Sequence, residues 1–64
     1  MRIIPLQNGK KAEIINTALP QVRLYKRGRK SPYRSYRGSS LYFADPPTAE
    51  DLAYLEALAR RANP

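Results

Sequence analysis

The chain contains no cysteine, no histidine and no tryptophan among its 64 residues. Without cysteine it cannot form a disulfide, and without cysteine and histidine it lacks the ligands of the usual structural zinc site. The same two absences remove the commonest activated nucleophile and the commonest general base of enzymes. We therefore expect a non-enzymatic protein with no catalytic residues, no cofactor and no metal.

Long apolar runs are also missing, since none exceeds four residues. A membrane-spanning helix needs roughly 20 apolar residues, and a signal peptide needs an apolar core of about 7 to 15. A chain this short buries only about 60% of its unfolded surface, so it has room for one small core. The sequence therefore predicts a single small cytoplasmic domain, residues 1–64, with no membrane partner.

Acidic residues are absent from the middle of the chain. Between Gln21 and Ser40 there are seven basic residues and three tyrosines, but no aspartate or glutamate. The net charge is +2 over residues 1–20, +7 over residues 21–40 and −2 over residues 41–64, which together give the +7 of the whole chain. Charge concentrated in this way is typical of a protein that binds a polyanion.

The basic and aromatic side chains of this segment form the candidate binding site. Arginine and lysine displace counterions from phosphates, while tyrosine can stack on an unpaired base or donate its hydroxyl to a phosphate oxygen. We expect Arg27, Arg29 and Lys30 to form a loop tip that enters a groove of the partner. The candidate set is Arg23, Tyr25, Lys26, Arg27, Arg29, Lys30, Tyr33, Arg34, Tyr36 and Arg37.

Two functions fit this pattern. The first is an accessory or regulatory protein that binds nucleic acid, either DNA or RNA. The second is a small inhibitor or modulator, of the kind that phages encode, whose basic face binds an acidic surface of a host protein such as an RNA polymerase or a nuclease. A solvated strand face with half-buried tyrosines would carry the same residues without any partner. The sequence favours nucleic acid, because the block contains seven cations and no acid.

The N-terminal segment, about residues 2–15, is predicted to form a β-hairpin. Asn8-Gly9 separates two β-prone runs, and this dipeptide favours a two-residue turn in which both positions have positive φ. Such a turn pairs Ile3 with Ile14, and it places on the core face Ile3, Pro5, Ala12 and Ile14. Because proline cannot donate a backbone hydrogen bond, Pro5 marks the first strand as an edge strand or as one that ends early.

The basic segment over residues 21–40 is predicted to contain a strand and a loop. Val22 and Leu24 alternate with Arg23 and Tyr25, which is the period of a strand with one apolar face and one basic face. Gly28 and Pro32, which follow this strand, then indicate a turn or loop.

Two short segments follow this loop. Residues 33–37 are expected to form a strand or an extended arm. Residues 41–44, which are all apolar or aromatic, are predicted to form a further strand.

The C-terminal segment is predicted to form a helix over about residues 48–62. Thr48 followed by Asp51 fits an N-terminal capping pair, and Glu56 precedes Arg60 by the four residues that favour an ion pair. One apolar stripe consists of Leu52, Leu55, Leu58, Ala59 and Ala62. The predicted fold class is α+β, with a small antiparallel sheet of three or four strands and this helix packed on one face.

Overall fold

The computed structural model describes residues 2–62, which form four strands and one helix. The elements are β1 (Arg2–Pro5), β2 (Lys11–Ile15), β3 (Gln21–Tyr25), β4 (Arg34–Arg37) and α1 (Ala49–Ala62). Each strand is antiparallel to the next, so the sheet has the order β1-β2-β3-β4. Helix α1 packs on one face of the sheet through Leu55, Leu58 and Ala59. The predicted α+β class is confirmed.

The β1–β2 hairpin has a register one residue away from the predicted one. Ile3 lies opposite Glu13 and not opposite Ile14. Because side chains alternate along a strand, the shift moves Ile4 into the core and leaves Ile3 57% exposed. Pro5, also predicted on the core face, is exposed. The predicted core face was therefore right for β2 and wrong for β1.

The register shift arises in the turn between the two strands. The turn contains three residues, Gln7–Gly9, and it is closed by the Leu6 N–H, which donates to the Lys10 carbonyl at 2.8 Å. Asn8 and Gly9 have φ values of 62° and 75°, so both adopt the left-handed conformation that the dipeptide predicted. The longer turn brings Leu6 to the core face, where it is 9% exposed.

Strands β3 and β4 complete the sheet. Val22 and Leu24 are fully buried, while Arg23 points to the opposite face and is partly exposed, which confirms the predicted alternation. Residues 34–37 form a strand and not an arm, and this strand is the second edge of the sheet.

Residues 41–44 do not form the predicted strand. Leu41 and Phe43 are each 5% exposed and Tyr42 is 76% exposed, so the segment shows the alternating burial of a strand without being one. Its backbone is held by Arg2, whose guanidinium donates to the carbonyls of Phe43 and Ala44. The prediction failed because an extended segment packed on the core alternates in the same way as a paired strand.

Helix α1 begins as predicted, directly after Thr48. The Asp51 N–H donates to Thr48 Oγ1 at 3.1 Å, and the Thr48 N–H donates to the Asp51 carboxylate at 3.0 Å. The Ala44 N–H also donates to this carboxylate, at 3.0 Å. These hydrogen bonds, above all the one from the Thr48 N–H, hold the pKa of Asp51 below its usual value.

The exposed side of α1 differs from the prediction at two positions. Leu52, predicted in the buried stripe, is 39% exposed. Glu56 does not pair with Arg60 and instead accepts a 3.0 Å hydrogen bond from the Gln7 N–H, which joins α1 to the β1–β2 turn. Within residues 2–62, no helix combines the length and the apolar character that crossing a bilayer requires.

Candidate nucleic-acid interface

The ten predicted site residues fall into three groups, because side chains alternate along the strands. The outer face of the sheet, away from α1, carries Arg23, Tyr25 and Arg37. The helix side of β4 carries Arg34 and Tyr36, which lie opposite buried residues of β3. The β3–β4 loop carries the remaining five: Lys26, Arg27, Arg29, Lys30 and Tyr33. The structure therefore does not bring all ten onto one surface.

The loop group is the densest in positive charge, and Tyr33 lies at its centre. The Nζ atoms of Lys26 and Lys10 lie 5.4 Å and 6.0 Å from the centroid of the Tyr33 ring. A concavity of about 370 Å³ is lined by Lys26, Arg29, Lys30, Ser31, Pro32 and Tyr33. We name five residues of this region the loop-end cluster: Lys10, Lys26, Arg29, Lys30 and Tyr33. Its cations and the neighbouring serine hydroxyl are groups that bind phosphate.

Within the loop-end cluster, Tyr33 forms the hydrogen bonds that connect the β3–β4 loop to the rest of the fold. Its hydroxyl donates to the Ala59 carbonyl in the last turns of α1 at 3.3 Å, and its N–H donates to the Leu24 carbonyl at 2.9 Å. Burial, followed by the influence of the nearby Tyr36, raises the pKa of Tyr33 above its usual value. The hydroxyl and the N–H of Tyr33 thus connect the β3–β4 loop to α1 and to β3.

The outer face of the sheet contains a buried acid that offsets part of its charge. The Tyr25 hydroxyl donates to Glu13 Oε1 at 2.9 Å, and the Arg23 guanidinium lies 3.5 Å from the same oxygen. Glu13 and Tyr25 are 8% and 9% exposed. Burial, and then the hydrogen bond to Glu13, raises the pKa of Tyr25. Tyr25 thus has neither a free hydroxyl nor an exposed ring, and Arg23 is partly neutralised.

Arg34 and Tyr36 form a separate pair on the edge strand β4. The guanidinium carbon of Arg34 lies 5.7 Å from the centroid of the Tyr36 ring. Tyr36 is half-buried and packs against the core, whereas Arg34 is exposed. Because Arg34 directly follows Tyr33, it extends the positive charge of the loop-end cluster along the sheet edge.

Sequence reasoning missed Lys10 and Lys11, which lie outside the 21–40 block. The Nζ atom of Lys11 lies 5.3 Å from the centroid of the Tyr25 ring, and Lys10 shares the Tyr33 ring with Lys26. The available signal was the antiparallel pairing of consecutive strands. Such pairing brings the start of β2 against the end of β3, so Lys11 joins the outer face beside Tyr25 and Lys10 joins the loop group beside Tyr33.

Acidic partners are scarce at the loop end. Within residues 2–62, ion pairs of 4.0 Å or less form at Arg2–Asp45 and Arg23–Glu13, and the remaining acids all lie on α1. In that same part of the chain, no cation of the loop-end cluster is paired with a carboxylate, and the acids form no group that could hold a metal ion.

An apolar groove lies elsewhere on the surface. Its volume is about 490 Å³, and it is lined by Arg2, Ile3, Ile4, Pro5, Pro47 and Leu52. None of the predicted site residues lines it. The groove and the loop-end cluster are therefore separate surfaces, one apolar and one basic.

No protein-family model, no curated protein and no solved structure matches this chain.

Proposed function

We propose that this protein binds nucleic acid without catalysing a reaction, and that the loop-end cluster is the centre of the binding surface. The observation that carries the proposal is the Tyr33 ring with two ammonium groups within 6.0 Å of its centroid. Arg29 and Lys30 lie beside it, and no described carboxylate neutralises these cations. Like charges gathered around one ring repel one another in the free protein, and a polyanion relieves that repulsion.

The proposed surface extends beyond the cluster to Arg27 and Arg34, which are exposed and adjoin it in the chain. Six cations of this region are then available to phosphates: Lys10, Lys26, Arg27, Arg29, Lys30 and Arg34. On the outer face of the sheet, Arg37 can add a peripheral contact, whereas Arg23 is held by Glu13. We place this activity in the cytoplasm, the reducing compartment that a chain without cysteine fits.

The salt dependence of binding tests the proposal directly. If about four to six phosphates are neutralised, the plot of log K against log salt concentration has a slope of roughly −4 to −5 on a duplex. The measurement is a fluorescence-anisotropy titration of a labelled random-sequence duplex at several salt concentrations. A flat salt response, or no binding at low salt, would contradict the proposal.

The second candidate function is the modulation of a host protein with an acidic surface. The observation that favours it is the apolar groove, where Ile3 is 57% exposed and Leu52 is 39% exposed, because a phosphate backbone makes no use of such a surface. A protein partner could contact the groove and the basic residues together.

A pull-down from lysate with and without nuclease separates the two functions. A nucleic-acid binder retains nucleic acid that salt removes, and its protein partners disappear after nuclease treatment. A protein modulator retains one acidic protein after the same treatment. Substituting Ile3→Ser together with Leu52→Ser should leave nucleic-acid binding unchanged and should weaken capture of a protein that uses the groove.

A further inference from the structure

The tyrosines of the candidate surface have cations over their rings. Lys11 lies over Tyr25, Lys10 and Lys26 lie over Tyr33, and Arg34 lies over Tyr36, at 5.3 to 6.0 Å from the ring centroids. Each of these cations is attracted by the electron-rich ring face. A nucleobase that stacked on such a face would have to displace the cation first.

The remaining parts of these tyrosines are engaged by the protein itself. The hydroxyl of Tyr25 donates to Glu13, and that of Tyr33 donates to the Ala59 carbonyl. Tyr33 and Tyr36 also pack against the hydrophobic core. No ring of the three offers the free, solvent-facing surface on which single-stranded nucleic acid is usually stacked.

We infer that the nucleic-acid partner is double-stranded and is bound through its phosphate backbone, with the tyrosines acting as positioning residues for the cations. This inference rests on the function proposed above. A lysine already held over a ring loses less conformational freedom when it meets a phosphate than a lysine that is free in solution. A duplex also presents phosphates at higher charge density than a single strand, which suits a dense, fixed group of cations.

The first test compares a labelled random-sequence duplex with one of its own strands at the same salt concentration. We expect the duplex to bind more tightly and to show the steeper salt slope. Equal or tighter binding of the single strand would overturn the inference while leaving the proposed function intact. If neither ligand binds at low salt, the proposed function itself fails.

The second test uses tyrosine fluorescence, which is readable because the chain contains no tryptophan. In a variant carrying Tyr42→Phe and Tyr54→Phe, the remaining emission comes from Tyr25, Tyr33 and Tyr36. We expect this emission to stay unchanged when duplex or single strand saturates the protein. Strong quenching by the single strand would show that a base stacks on one of these rings, and the inference would then be wrong.

The third test asks whether the ring itself positions the cation. Tyr36→Phe keeps a ring beneath Arg34, whereas Tyr36→Leu removes it at the same half-buried position. We expect the phenylalanine variant to bind duplex like the parent and the leucine variant to bind about two- to fivefold more weakly. Tyr33→Phe and Tyr33→Leu both lack the hydroxyl that donates to the Ala59 carbonyl, so comparing these two variants with each other isolates the effect of the ring on Lys10 and Lys26. Circular dichroism checks the fold of each variant, and equal duplex affinity of the folded leucine and phenylalanine variants at both positions would overturn the positioning role.

Discussion

The side chain of Arg27 lies across Gly9, so that a Cβ atom at residue 9 would stand 2.7 Å from the Cδ atom of Arg27. This contact joins the β1–β2 turn to the β3–β4 loop. Arg27 was predicted as a binding residue at the loop tip, and its aliphatic stem also covers the hairpin turn. Glycine is therefore favoured at position 9 for two reasons. Its backbone φ is 75°, and Arg27 occupies the space that a Cβ atom would need.

Substituting Gly9→Ala should destabilise the fold more than Gly28→Ala does. Gly28 has almost the same φ, 74°, but nothing lies within 4 Å of the position that its Cβ would take. We expect Gly28→Ala to lower the free energy of unfolding by about 1 to 2 kcal/mol through backbone strain alone. Gly9→Ala should add a steric cost to that value, which thermal unfolding followed by circular dichroism can measure.

An Arg27→Ala background provides the control for this comparison. In that background the contacts of 2.7 Å and 2.8 Å with Cδ and Cγ disappear and the 3.0 Å contact with Cβ remains, so the difference between the two glycine variants should become smaller. Equal losses already in the parent background would show that Arg27 moves aside without cost.

The hairpin shows how far the sequence could predict this fold. Asn8-Gly9 correctly predicted a turn with two left-handed residues, because few residue pairs tolerate that conformation. It did not determine the register, because a two-residue turn and a three-residue turn both accept this pair. The choice depends on whether Ile3 or Ile4 is buried, and burial depends on the whole core, which no local pattern contains.

The candidate site was predictable in composition but not in arrangement. The run from Arg23 to Arg37 correctly indicated where positive charge concentrates. The position of Glu13 beneath Arg23 and the addition of Lys10 depend on pairings between strands. The sequence therefore indicated the segment in which positive charge concentrates. It did not indicate which basic residues of that segment have an acidic partner.

Loss of the Asp51 carboxylate should weaken the start of α1. Asp51→Asn should lower the free energy of unfolding at neutral pH, because the carboxylate accepts hydrogen bonds from the N–H groups of Thr48 and Ala44. The pKa of Asp51 is lowered in the folded protein, so its contribution is present above about pH 4 and is lost as the pH falls through the folded pKa. Urea unfolding at a series of pH values measures both effects.

Glu50→Gln is the matched control for Asp51→Asn. It removes one carboxylate from the same first turn, where Glu50 also faces the positive end of the helix dipole but, within residues 2–62, accepts neither of the N–H hydrogen bonds that Asp51 accepts. We expect a loss of no more than a few tenths of a kcal/mol. If both variants lose the same stability, the hydrogen bonds to Asp51 do not support the helix start.

Removing two cations from the loop-end cluster should weaken nucleic-acid binding more than removing two from the helix. Arg29→Ala with Lys30→Ala and Arg60→Ala with Arg61→Ala both lower the net charge from +7 to +5, so they are matched in net charge and differ in location. The loop variant should reduce the magnitude of the salt slope by about 2 and should keep its thermal stability. The helix variant should lose at most a few tenths of a kcal/mol of stability and bind nearly as the parent does.

Anisotropy titrations and thermal melts of both variants measure this difference. Arg27 is left in place because it also packs on Gly9. Loss of binding in the helix variant alone would place the interaction on the C-terminal end of α1. A protein groove would then be a better partner than a phosphate backbone.

Neutralising the buried acid of the outer face should strengthen polyanion binding. Glu13→Gln raises the net charge from +7 to +8 and frees Arg23, whose guanidinium lies 3.5 Å from the carboxylate. The glutamine oxygen can still accept the Tyr25 hydroxyl. We expect tighter duplex binding and a salt slope steeper by about 1 if the freed arginine reaches a phosphate. Because Arg23 is 37% exposed, losing the ion pair should cost less than about 1 kcal/mol of stability.

The same variant has a second readout in the ionisation of Tyr25. Burial raises the pKa of this tyrosine and the Glu13 hydrogen bond raises it further, so folding favours the neutral phenol. The resulting stabilisation is fully present below about pH 10 and is lost as the pH rises through the folded pKa. In Glu13→Gln the burial contribution remains and the carboxylate contribution is gone, so Tyr25 should ionise at a lower pH than in the parent. Ultraviolet titration of tyrosinate, with Tyr25→Phe identifying the signal of this residue, measures the change. An unaltered titration together with unaltered duplex affinity would mean that Glu13 controls neither Tyr25 nor the charge that Arg23 offers to a partner.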